Sequence, residues 1–214
     1  MYVYEKMTKN IATITPECSV SKAFQILTEE RHSQLPVVNS ENQVVGLVTE
    51  KLLAEVNPSK ATSLSVYEIN YLLSKTKVRD IMRTGIFKIN QSKQIEDAAL
   101  VMNENRIGFL PVVDDNERLV GVITRLDVIK AFMGILAVKE PGTRLSIKTE
   151  NSINDIAEIT EMLKKHNIIL NNIANIYKDG CSELLIKIKT LNTDSLIEEL
   201  KSKNYNVTIL SKQY

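Results

Sequence analysis

Tryptophan is absent from this sequence, and cysteine and histidine occur only twice each. Cys18 and Cys181 are too far apart in sequence to make a ligand-spaced pair, so no structural metal site is expected and both thiols are read as free. With His32 and His166 the only imidazoles, nucleophile–base pairs have few candidates. The sequence holds no Gly-x4-Gly-Lys phosphate loop, no His-Glu-x-x-His and no Gly-x-Ser-x-Gly elbow, and catalysis is not expected. No apolar run approaches the roughly 20 residues of a membrane span. The N-terminal Met1-Tyr2-Val3-Tyr4-Glu5-Lys6 lacks the apolar core of a secretory signal, so the expected address is cytoplasmic. An excess of one charge is missing too. Lys and Arg number 27 against 26 Asp and Glu, and a net +1 gives no field for wrapping nucleic acid or gripping an acidic membrane.

What is present is an ordinary globular composition, 43% hydrophobic over 214 residues, enough for one large or two modest domains. It is also internally repeated. A shift of 75 residues lays Met7 on Met82, Ile11 on Ile86, Ile14 on Ile89, Ala23 on Ala98 and Arg31 on Arg106. Without a gap, Leu35-Pro36-Val37-Val38 meets Leu110-Pro111-Val112-Val113, Val45-Gly46 meets Val120-Gly121, and Thr49 meets Thr124. Two copies of one unit therefore occupy residues 1–56 and 76–138.

Each copy reads β-α-β-β-α. A short strand opens it, Ile11 to Thr15 or Ile86 to Asn90. An amphipathic helix follows, with Val20, Ala23, Phe24 and Leu27 on one face, matched by Ile95, Ala98, Ala99 and Met102. Leu-Pro-Val-Val is a strand with proline near its start, where a missing N–H is tolerated. A polar turn (Asn39 to Asn42; Asp114 to Glu117) leads to the last strand and the closing helix, predicted in the second copy to reach Val138.

The junction Leu119-Val120-Gly121-Val122-Ile123-Thr124-Arg125-Leu126-Asp127-Val128 carries the chemistry. An apolar strand runs into a helix at Thr124, with Asp127 three residues on. Such a pair is a plain capping box. The same hydroxyl and carboxylate, beside the free N–H groups of a helix start, can also hold a sugar and its phosphates. Both readings stand on local sequence; the repetition of the stretch favours binding.

These motifs, Met-Thr at Met7, Arg-x-x-x-Leu-Pro-Val-Val at Arg31 and Arg106, and Gly-x-x-Thr-x-x-Asp at Gly121, resemble a tandem pair of CBS domains over about residues 1–138. The resemblance implies clefts shared by the copies that bind adenosine-containing ligands. One cleft would join Thr124, Arg125, Leu126 and Asp127 to Ala12, His32, Ser33 and Gln34. Asp127 would take the ribose hydroxyls, Thr124 and Arg125 phosphate or sugar, and the Ser33-Gln34 backbone the adenine edge. The mirror cleft would hold Thr49 and Lys51 against Phe87, Ile107, Gly108 and Phe109, with Leu52 where a carboxylate belongs. Ribose hydroxyls buried there without partners cost about 1–3 kcal/mol, so this cleft is expected to be the weaker, with Lys51 left to hold an anion. Arg31 and Arg106 are read as solvated or ion-paired rather than as ligands.

Residues 57–80 form a linker whose Ser65 caps a helix showing Val66, Ile69, Leu72 and Leu73. Beyond Lys139-Glu140-Pro141-Gly142, residues 143–214 read as a separate β-α-β-β-α-β unit, ferredoxin-like in order. Its strands are Leu145 to Lys148, Ile168 to Tyr177, the alternating stretch around Leu184, Ile186 and Ile188, and Val207 to Leu210. Its helices follow Asn154 and Thr193, and Lys178-Asp179-Gly180 makes a hairpin turn. By element order this tail resembles an ACT domain. The loop Asn151-Ser152-Ile153-Asn154 lacks the glycine of that family's ligand loop, which points to assembly through sheets. A tandem CBS pair followed by such a tail resembles the accessory proteins of bacterial acetoin utilisation.

The expected protein is α+β and non-catalytic. It needs no cofactor, senses an adenine nucleotide (AMP, ADP or ATP) and forms a homodimer or higher oligomer that acts on an unidentified protein. Cyclic di-AMP and S-adenosylmethionine remain alternative ligands, and an interaction module with degenerate clefts is the alternative class.

Overall fold

A computed structural model describes residues 1–29, 33–56, 65–150, 153–178 and 181–214. The chain folds into two compact units, Met1–Val128 and Ile129–Tyr214, each α+β.

In the first unit, α1 (Val20–Glu29) leads to the antiparallel pair β1 (Gln34–Val38) and β2 (Val44–Thr49), and then to α2 (Glu50–Val56). The linker helix α3 (Val66–Lys75) starts where the sequence places it. Ser65 Oγ accepts from the Glu68 N–H at 3.3 Å, and Glu68 accepts from the Ser65 N–H at 2.8 Å, a reciprocal cap. The second copy repeats the plan with β3 (Ile89–Asn90), α4 (Ile95–Glu104), β4 (Phe109–Val113), β5 (Leu119–Thr124) and α5 (Arg125–Ile135), whose residues from Ile129 onward belong to the second unit.

Three local expectations are corrected. The opening strand of the first copy reduces to one parallel bridge, Ile14 to Val37, and that of the second to two residues. Asn10 in a left-handed conformation (φ 54°) and Pro16 bracket the first of these, leaving little length for a ladder. Phe24 is 48% exposed, while its helix neighbours Val20, Ala23 and Leu27 are buried. Finally, α5 stops at Ile135, because Ala137 turns left-handed (φ 49°) just beyond it.

The two copies exchange their first residues. Val3 is fully buried, and its N–H bonds the Lys93 carbonyl of the second copy at 2.9 Å. Its register mate Val78 lies in the core of the first copy, with Ile14, Leu35, Val48 and Leu53. Thr8 bridges to Val122, and Arg83 bridges to Leu47 in the mirror position. The close crossing explains the glycine of each Val-Gly motif. A Cβ on Gly121 would lie 2.7 Å from the Thr8 carbonyl oxygen, and one on Gly46 would lie 2.5 Å from the Met82 sulfur. Between the copies, Val38, Val44, Val113 and Leu119 form a small core flanked by Ile11 and Ile86. Every member has its 75-residue mate in the cluster, as an approximate twofold relation requires.

The second unit is built on β6 (Gly142–Thr149), α6 (Ile153–Lys165), β7 (Leu170–Lys178), β8 (Cys181–Ile188), α7 (Asp194–Ser202) and β9 (Asn206–Gln213), with strand order β7-β8-β6-β9. This is the ferredoxin-like order. Alternation sends Leu145, Ile147, Leu184, Ile186 and Ile188 to the helices, where they meet Ile159, Met162, Leu163, Leu196 and Leu200. The first strand is longer than expected because Gly142 (φ 131°) already pairs with Gln213; a Cβ there would sit 2.0 Å from the Ile188 carbonyl oxygen. α6 begins at Ile153, so Asn154 is helical rather than a cap. Asn151, Ser152, Asp179 and Gly180, which carry the expected ligand loop and hairpin turn, lie outside the described residues.

Candidate functional site

The exchange of arms creates two clefts in the first unit, each walled by one copy's β2–α2 or β5–α5 junction and the other copy's opening segment.

The first cleft encloses about 440 Å3 and is lined by Thr124, Arg125, Leu126, Ala12, Ser33 and Gln34, together with Thr8, Ile11, Pro36, Gly108, Phe109 and Val122. Six of the eight residues expected there thus converge. His32 lies outside the described residues, as does Arg31. Asp127 is half-buried but is not part of the lining. Its Oδ2 accepts from the Thr124 N–H at 2.9 Å and from the Thr124 hydroxyl at 2.6 Å, while Thr124 Oγ1 accepts from the Asp127 N–H at 3.3 Å. The capping box is therefore closed in this structure. Oδ1 has no protein partner among the described residues. The cleft itself is open, not plugged by side chains. Arg125 lines it, donating from Nη2 to the Ile107 carbonyl at 3.2 Å, with its guanidinium carbon 3.7 Å from where a Gly108 Cβ would be. A Cβ at position 108 would stand in ordinary van der Waals contact with that arginine.

The mirror cleft is the larger, about 590 Å3. Thr49, Lys51, Phe87, Ile107, Gly108 and Phe109 line it as expected, joined by Glu50, Arg83, Thr84, Gly85, Ile86 and Arg106. Leu52 is half-buried and does not line it; its N–H donates to Thr49 Oγ1 at 3.1 Å. With leucine in place of a carboxylate, nothing among the described residues accepts the Thr49 hydroxyl proton. Arg83 and Arg106 are exposed and have no carboxylate partner among the described residues; Lys51 reaches Glu55 only at 4.0 Å. Ser33, Gln34, Gly108 and Phe109 line both clefts, so the two spaces adjoin.

Thr8 and Arg83 were not among the residues expected at the clefts. They occupy equivalent positions one repeat apart, and their presence follows from the exchanged arms. Among the described residues no group of three or more His, Cys, Asp or Glu side chains is placed to hold a metal ion, and no helix is long and apolar enough to cross a membrane.

The CBS domain model matches residues 3–57 and 78–134. The chloroplastic CBS domain-containing protein CBSX1 of Arabidopsis thaliana is 33% identical over 161 residues, covering 66% of this chain and 67% of that protein. Two further relatives, both from Methanocaldococcus jannaschii, are much longer, and the chain spans 38% and 26% of their lengths. Among solved structures, CBSX2 in complex with AMP superposes with a TM-score of 0.52 at 30% identity, over 65% of this chain and 98% of that one. An acetoin utilization protein, AcuB, from Vibrio cholerae gives a TM-score of 0.53 at 22% identity, over 65% of this chain and 95% of that one, a likeness of fold.

Proposed function

The chain belongs to the CBS-domain family, with two copies in tandem, and from that premise we propose a non-catalytic regulatory protein that binds an adenine nucleotide in the cleft of Thr124 and Arg125. One observation carries the reading. Six residues implied by the family resemblance meet around an open space of about 440 Å3, and the similar CBSX2 is solved with AMP.

In this reading the Ser33–Gln34 backbone and Phe109 hold the base, and Arg125 meets phosphate. Asp127 keeps Oδ2 on Thr124 and offers Oδ1 to a ribose hydroxyl. Ligand binding regulates only through unequal affinity for two arrangements of the copies, and the adjoining clefts between them supply a place for that difference. We take residues 1–56 and 76–138 as the two copies, joined by the linker at 57–80, and 143–214 as an ACT-like tail. The edge strands of that tail expose Ile176 and Tyr177 on β7 and Ile209 and Leu210 on β9, surfaces suited to joining subunits into a homo-oligomer that signals to a downstream protein in the cytoplasm. Cyclic di-AMP and S-adenosylmethionine are the competing ligands.

Isothermal titration with AMP, ADP, ATP, cyclic di-AMP and S-adenosylmethionine tests the ligand. If none binds, the sensor reading fails and the clefts are degenerate. Light scattering on the purified chain tests the assembly, and a monomer at all concentrations rejects it.

A further inference from the structure

The mirror cleft has Leu52 at the position of Asp127, but it is not merely degenerate. We propose that it is an oligophosphate site, formed by Thr49, Lys51, Arg83 and Arg106. The proposal goes beyond the adenosine reading and depends on it only for the source of the phosphate.

Three observations carry it. First, the cleft is lined by three cationic side chains against one acid, Glu50, whereas the first cleft is lined by one cation, Arg125. Second, the two arginines are unpaired among the described residues but their backbones are fixed. Arg83 exchanges two 3.0 Å backbone hydrogen bonds with Leu47, and Arg106 sits in a left-handed turn (φ 54°) at the end of α4. Third, the Thr49 hydroxyl, whose counterpart Thr124 spends its proton on Asp127, is free to donate to an anion. Leu52 is what frees it. A ribose would leave its hydroxyls without a partner here, and a phosphate chain has none to satisfy.

The phosphate can come from a nucleotide whose adenosine occupies the first cleft, since Ser33, Gln34, Gly108 and Phe109 line both spaces. It can also come as a free inorganic chain. Titrations of the full chain with AMP, ATP and inorganic tripolyphosphate at low salt separate these sources. If the tail of a nucleotide enters, ATP binds about tenfold or more tighter than AMP. Arg83→Gln and Arg106→Gln then bring ATP down to the AMP level and leave AMP unchanged. If the source is free, tripolyphosphate binds alone, the same variants abolish it, and ATP equals AMP. Tripolyphosphate binding without any adenosine compound upholds this site while rejecting the nucleotide reading. Glu50→Gln is a second probe that removes no cation, and it strengthens phosphate binding. The proposal is overturned if tripolyphosphate does not bind and ATP is no tighter than AMP. Equal weakening of AMP and ATP by the arginine variants overturns it as well.

Discussion

Asp127 closes a helix cap and is proposed to meet a ribose, and one pair of substitutions separates the two roles. Its Oδ2 closes the cap at the start of α5 through bonds of 2.9 and 2.6 Å from Thr124. Its Oδ1 is the atom proposed to meet a ribose. In Asp127→Asn the amide oxygen still accepts both Thr124 bonds, but an NH2 group replaces Oδ1 and cannot accept from a sugar hydroxyl. The cap survives and only the charge at the helix start is lost, about 0.5 kcal/mol. Asp127→Ala loses the cap as well. Hydrogen bonds to a charged group contribute about 1.5–3 kcal/mol when buried, and for this half-buried pair the lower end applies, about 1–2 kcal/mol. Urea unfolding of the ligand-free chain therefore ranks wild type, Asn, then Ala. AMP titration gives a different order: both variants fall together, roughly tenfold or more below wild type, because either leaves a ribose hydroxyl unsatisfied. An Asn variant that binds AMP as tightly as wild type makes Asp127 a cap and nothing else. Equal stability of Asn and Ala removes the cap.

Gly121→Ala brings a Cβ to 2.7 Å from the Thr8 carbonyl oxygen, and should lower the urea midpoint by the equivalent of about 1–3 kcal/mol. Gly134→Ala in α5, with nothing within 4 Å of its Cβ, should raise it by about 0.5–1 kcal/mol; the reverse order in urea titrations rejects the exchanged arms. Lys187 is 2% exposed and, among the described residues, has only long bonds, to the Gly142 carbonyl (3.3 Å) and to Gln213 (3.5 Å), and burial, with Arg144 nearby, lowers its pKa from 10.5. The unfolded chain then binds more protons, so stability rises as pH climbs from the folded pKa towards 10.5, and Lys187→Met removes that slope in pH-dependent denaturation. Glu199, hydrogen-bonded by Lys165 (2.8 Å) and His166 (2.7 Å), is held below the ordinary carboxyl value of 4.5. Its contribution is full above that value and is lost as pH falls through the folded pKa, so Glu199→Gln should flatten the acid limb of the same curves.

Much of this was legible in the sequence because repetition multiplies weak signals. One Thr-x-x-Asp says little, but a register held from Met7 to Thr49 fixed both copies, and Leu52 opposite Asp127 marked the chemical difference between the clefts. Sequence periodicity did not show the exchange of arms. Val3 reads as apolar whichever core receives it, and its choice of the second copy is a long-range event that local pattern does not encode. That is why Thr8 and Arg83 were missed. Arg106, expected to be a solvated or ion-paired charge, is exposed and has no carboxylate partner among the described residues, and it also lines the mirror cleft. Phe24 was misplaced for a related reason. It sits beside Ala23 on the helix face, and only the packed structure shows that the small residue is buried and the large one is not.

The same register shows how one unit can yield two kinds of site. Among the substitutions between mates, four carry a contrast in charge: Asp127 against Leu52, Arg125 against Glu50, Leu126 against Lys51, and Thr8 against Arg83. Three of these place positive charge on the mirror cleft or remove negative charge from it, and the fourth, Glu50, opposes them. An anion there needs the cations to outweigh Glu50, so screening matters: these side chains are exposed, and their attraction fades over about 8 Å at physiological ionic strength. In the proposed reading, adenosine in the first cleft would depend on hydrogen bonds and apolar walls, with Arg125 the one cation on the phosphate, so salt should weaken it less. Raising the salt should therefore strip tripolyphosphate from the protein while AMP stays bound. If both ligands weaken in parallel, the two clefts do not differ in kind, and the division of labour argued from these four positions is wrong.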